Sequence, residues 1–166
     1  MGSPMEGIEI RRDIQHHKFK FKEYFKGFER CPAVLEIFGG DTDNVLNELE
    51  IEFSSRKGGY MGVNDDDGCL IINVHHLKKS DERTLYLDVV HELVHVKQFR
   101  EGKNLFDPNY EYVDRPTEIE AYKHAVDEAK NIGMTDKDII EYLEVEWLDQ
   151  KAHKRLVFNV GIKIDT

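Results

Sequence analysis

The sequence predicts an α+β fold: a small antiparallel or mixed sheet packed against a central helix over about 81–101 and a second helix over about 116–132. Three observations carry this. Leu49, Ile51 and Phe53 alternate with Glu50, Glu52 and Ser54, the period of a half-buried strand. Leu85, Val89, Leu93, Val96 and Phe99 recur at helical spacing before Gly102. Pro116 opens another helical run that closes at Asn131 and Gly133. The 166 residues contain no internal repeat and suit a single domain with one core.

In chain order, residues 1–4 read as an expression remnant and carry no functional weight. A helix is expected over 12–28, a short apolar strand over 33–38, and a helix capped at 41–43 running through Leu46. Gly58 and Gly59 turn the chain into a second strand at Tyr60, Met61 and Val63. An acidic turn at 64–68 precedes a third strand at 69–74, so 49–74 reads as an antiparallel meander. That acidic turn lacks the twelve-residue spacing and closing glutamate of a calcium loop, and ordinary turn chemistry explains it. Ser80 is the expected N-cap of the central helix, with Asp81 and Glu82 in its first turn. Thr135 and Asp138 start a third helix to about Lys151, and 156–164 alternates as a final strand.

Thirty-three acidic against 23 basic residues give a net charge of −10, which disfavours a nucleic-acid partner. Lys18, Lys20, Lys22 and Lys26 interleave with Phe19, Phe21 and Phe25, read as lysines in water and aromatics in the core. No apolar run is long enough to span a bilayer, so no membrane partner is expected. Without an export signal, and with Cys31 and Cys69 in no pairing pattern, a cytoplasmic protein with reduced thiols is expected.

The chemistry lies in His91-Glu92-Leu93-Val94-His95, at the middle of the central helix. Residues four apart share a helical face, so both imidazoles can reach one Zn2+ ion. Glu92 points beside that ion, where a base stands to deprotonate water. A third protein ligand is needed. No third histidine follows, since the position three after His95 is Gln98. Glu118 stands at the start of the second helix and shares a face with Ala121 and Ala125, small residues that permit close approach of the two helices. Glu120 competes with it; the face match favours Glu118.

An HExxH helix followed by Glu118-x-x-Ala121-x-x-x-Ala125 resembles the gluzincin zinc peptidases, and among them the minigluzincins and related small single-domain enzymes. The resemblance covers about residues 49–132. It implies a zinc-dependent peptidase with His91, His95 and Glu118 as metal ligands, Glu92 as general base and acid, and a peptide or protein as substrate. Many gluzincins carry an acid four residues after the third ligand; here Tyr122 stands there, so a ligand histidine must be oriented by another group. Tyr110, Tyr112, Tyr122 and His124 are the candidate oxyanion donors. Substrate is expected to pair with an edge strand, either 61–63 or 70–74. The segment 156–166 either completes the sheet, the favoured expectation, or lies in the cleft and keeps the enzyme latent.

His75 and His76 read as a polar strand-to-helix loop, and Trp147 as core. The rival function is a non-catalytic or regulatory zinc-binding module for protein interaction on a peptidase-like scaffold. Glu92 argues against it, since a structural site has no use for a carboxylate beside an open position.

Overall fold

The computed structural model describes residues 3–13, 18–56 and 60–163. Where one helix is expected over 12–28, the chain instead forms β1 (Glu9–Ile10), β2 (Phe19–Lys20), the single-turn α1 (Phe21–Tyr24) and β3 (Phe25–Lys26). The alternation of lysine and phenylalanine suits a strand at Phe19–Lys20, and the helix it leads into is closed after one turn by the extended Phe25. β1 pairs antiparallel with β3. Phe21, Phe25 and Phe28 are fully buried, with Phe21 stacked on Phe25 and Phe28 edge-on to both. His16 and His17 fall outside the described residues.

The stretch expected as a strand over 33–38 is a helix, α2 (Pro32–Phe38). Pro32 occupies its first turn, and the buried Val34 and Ile37 are three apart, which places them on one helical face. α3 (Thr42–Glu48) follows where a helix is predicted.

β4 (Glu50–Ser54), β5 (Met61–Val63) and β6 (Leu70–Asn73) fall on the three predicted strands, but they do not form a meander. The sheet order is β2-β4-β6-β5, with β4 and β6 parallel and the other two pairs antiparallel. β6, with Leu70, Ile72 and Asn73 buried, takes an interior position between β4 and β5. The short β5, with Gly62 at its centre, is left at the edge. The predicted turn at Gly58 and Gly59 lies outside the described residues. The acidic turn is built by its own side chains: Asn64 accepts from the Asp66 amide and Asp67 from the Cys69 amide. Gly68 is required there, since its φ is +79° and a Cβ would lie 2.5 Å from the Phe99 ring.

His75 and His76 belong to a helix rather than a loop, α4 (Val74–Lys79), because the Asn73 side chain accepts from both of their amides. Ser80 closes that helix, and Asp81 instead caps α5 (Glu82–Arg100) by accepting from the Thr84 amide. α5 is buried on nearly every side, with α6 (Pro116–Asn131) as its main neighbour and α2 and β5 also against it. α7 (Asp136–Tyr142) starts at the predicted Thr135–Asp138 box but stops well short of Lys151.

The predicted final strand is a helix, α8 (Gln150–Asn159). Asp149 caps it, Leu156, Val157 and Val160 bury on one side, and Gly161 at φ +84° ends it. α8 packs on the 3-10 turn Tyr112–Asp114, where Arg155 forks onto Asp114 and Glu111. Its described residues neither join the sheet nor line the cleft described below. Cys31 and Cys69 are both free and buried. Among the described residues no helix is long and apolar enough to cross a membrane.

Candidate metal centre

The middle of α5 carries His91, Glu92 and His95, and the first turn of α6 carries Glu118; all four are buried. Three donor atoms converge. His91 Nε2 lies 3.1 Å and His95 Nε2 2.9 Å from Glu118 Oε1, and the two nitrogens are 3.2 Å apart. Ligands held tetrahedrally at about 2.0–2.1 Å from zinc stand about 3.3–3.4 Å from one another. The observed triangle is slightly tighter than that, and its edges are also of hydrogen-bond length. Glu92 also lies near, but its Oε1 stands farther off, 3.7 Å from His91 Nε2.

The tautomer of His95 sharpens this fit. Gln98 directs its amide nitrogen at two acceptors, the Thr117 carbonyl (3.0 Å) and Glu120 Oε1 (2.8 Å). Its amide oxygen therefore faces His95 Nδ1 at 2.7 Å, and Nδ1 must donate. A neutral His95 then turns a bare lone pair toward the Glu118 carboxylate. Two acceptors at 2.9 Å need a cation between them, either a second proton on the ring or a metal ion.

The electrostatics agree. Burial pulls the His95 imidazole down, but the hydrogen bond and charge of Glu118 outweigh it and hold the group at about 9 in the metal-free protein. Burial likewise pushes the Glu118 carboxyl up, and the hydrogen bonds of His91 and His95 overcome this and hold it far below the ordinary range. Burial raises Glu92, opposed by the two histidines.

Of the two candidate third ligands, Glu118 meets the histidines, whereas Glu120 binds Gln98 and so orients His95 at one remove. Tyr122, standing where an acid is often found, packs its ring edge-on against His91 with centroids 4.2 Å apart. Its hydroxyl is 2.7 Å from that of Tyr112. Among the described residues, His91 Nδ1 and Glu92 Oε2 are buried without hydrogen-bond partners.

These groups floor a cleft of about 740 Å³, including the part open to solvent. β5 forms one wall. Tyr112 and Tyr122 line the cleft; Tyr110 and His124 do not. Trp147 also lines it, 46% exposed, with its ring against Tyr60 and Tyr112; it is not the core residue predicted, because the chain between α7 and α8 runs past the cleft instead of continuing as helix. His76 is held by Asp88 at 2.6 Å and Ser80 at 2.8 Å.

Sequence reasoning passed over Asp88 and gave Gln98 no role. Asp88 stands one turn before Glu92, lines the cleft, and accepts from Tyr142 at 2.7 Å. Its position three and seven residues before His91 and His95 is a legible helical-face signal. Comparison with protein-family models, curated proteins and solved structures gives no match for this chain.

Proposed function

We propose that this protein is a zinc-dependent peptidase of the gluzincin kind, with His91, His95 and Glu118 as metal ligands and Glu92 as general base and acid. The observation that carries the reading is the lone pair of His95 turned toward the Glu118 carboxylate inside a triangle of zinc-ligand dimensions. A zinc ion held there would supply a Lewis acid for a peptide carbonyl and acidify water in the cleft.

The chain's own groups then divide the work. Glu92 Oε2 is buried and unpartnered, so it is free to take the proton of the attacking water. The same carboxyl returns that proton to the departing amine. Tyr112 and Tyr122 share one hydrogen bond, which uses one of their two phenolic protons. The other has no acceptor among the described residues and is available to a developing oxyanion. Burial holds both phenols protonated. The edge strand β5 gives an extended peptide a backbone to pair with along the cleft wall.

Metal analysis beside casein or peptide cleavage, for wild type and Glu92→Ala, tests this. The expected result is one zinc per chain in both, with cleavage at least about a hundredfold lower in the variant. Zinc in both with no cleavage by wild type would favour the interaction-module reading. A protein that takes up no zinc ends the proposal.

A further inference from the structure

We propose that Arg115 receives a carboxylate of the bound peptide, either its C-terminal carboxylate or an aspartate or glutamate side chain; this rests on reading the cleft as a peptide site. Arg115 caps α6 three residues before Glu118. Its Cζ lies 5.9 Å from the Tyr112 ring centroid and 6.0 Å from that of Phe106, and both rings line the cleft. Its Nε is buried and has no hydrogen-bond partner, and among the described residues its guanidinium enters no ion pair. Two other arginines find acceptors within the protein: Arg155 in Asp114 and Glu111, and Arg12 in the carbonyls of Leu77 and Ser80.

A buried donor left unmatched is unfavourable, and contact with ring faces does not supply the missing acceptor. An anion arriving with the ligand resolves this. The cleft itself brings the opposite charge: Asp88, Glu92 and Glu118 line it, and among the described residues no lysine or arginine does. A peptide carboxylate entering there needs a counter-charge, and Arg115 is the cation set against the cleft wall. A planar guanidinium can hold a carboxylate through two parallel hydrogen bonds, which fixes orientation as well as affinity.

The test uses the chain's single tryptophan, Trp147, whose place in the cleft makes its fluorescence a binding signal. Zinc-loaded full-length protein carrying Glu92→Ala, which leaves the probes uncleaved, is titrated with three acetylated Ala-Ala-Phe-Ala peptides. One has a free C-terminal carboxylate, one is the carboxamide, and one is the carboxamide with its last alanine replaced by glutamate. At least one carboxylate peptide should bind about ten- to hundredfold more tightly than the plain carboxamide, the range of a charge-assisted pair. Which of the two does so identifies the source. Adding Arg115→Gln should erase that preference while leaving carboxamide affinity and zinc content unchanged, and Arg115→Lys should keep part of it. Equal binding of all three peptides overturns the proposal. So does a preference that survives Arg115→Gln, which would assign the carboxylate to the metal. Because binding is read without cleavage, and zinc is measured separately, failure here and failure of the peptidase reading are distinct results. If Arg115→Gln does not fold, Arg115→Lys and the comparison among peptides decide.

Discussion

Two buried glutamates on α6 face α5 ten residues apart, and their surroundings differ in one respect. Glu128, at the far end, is met by donors: the Tyr86 hydroxyl, the Asn131 amide at 3.1 Å and the Cys31 thiol at 3.9 Å. Glu118, at the cleft end, is met by two imidazole nitrogens, and the ring proton of His95 is already committed to Gln98. Burial of a carboxylate is therefore no mark of a metal site. What separates the two ends is that the imidazole nitrogens meeting Glu118 can carry either a proton or a metal ion, whereas the phenol and amide meeting Glu128 carry fixed protons.

Replacing each glutamate by alanine gives the largest expected contrast. Glu118→Ala should lose stoichiometric zinc, measured after dialysis, and with it any cleavage. Glu128→Ala should keep its zinc and instead lose about 1–3 kcal/mol of stability in denaturant titration, since it strands the buried Tyr86 phenol. Zinc lost from Glu128→Ala and kept by Glu118→Ala would reverse the comparison.

The cleft end was more legible in the sequence than the rest of the chain, and the reason is physical. His91, His95 and Glu118 sit on long helices whose side-chain directions follow from spacing alone, and the structure brings their donor atoms within 3.2 Å of one another. The strands at 50–54, 61–63 and 70–73 were legible from alternation, but their order was not. Pairing is decided by which strand buries best, and β6 was placed last in a meander when it belongs between β4 and β5. Short elements failed most. In α2, the helix-starting Pro32 outweighs an apolar run that looks like a strand; in α8, the Asp149 cap and the helical spacing of Leu156 and Val160 outweigh the alternation over 156–164. The exposure of Trp147 has the same origin, since its burial depends on where the preceding helix stops.

Gln98 offers a smaller effect that sharpens the same contrast. It touches neither the cleft nor a proposed metal position, yet it fixes which nitrogen of His95 carries the proton. Gln98→Ala should lower zinc affinity by about ten- to hundredfold, measured by competition with a chelator, in a protein that still folds. Glu120→Gln, one step farther out, should act in the same direction and more weakly. An unchanged affinity in Gln98→Ala would mean that the tautomer of His95 is set by Glu118 alone.

The smallest expected effect is a dependence on pH that should appear at one end of α6 only. In metal-free protein the His95 imidazole is raised from 6.5 to about 9, burial opposing and Glu118 prevailing. A group raised on folding contributes stability that is complete below its unfolded value and is lost as pH climbs through the folded one. Metal-free protein should therefore weaken between about pH 7 and 9, by at most about 1.4 kcal/mol per pH unit for one proton. Glu118 is ionised throughout that interval and adds no slope. Zinc takes the place of the His95 proton, so zinc-loaded protein should lack the slope, and binding near pH 7.5 should release about one proton. Calorimetric titration in buffers of different ionisation enthalpy reads that proton directly. Glu118→Gln removes the charge that holds His95 protonated and should abolish the slope, whereas Glu128→Gln should leave it intact. Release of no proton would mean that metal-free His95 is already neutral, and that some other cation keeps its lone pair from the Glu118 carboxylate.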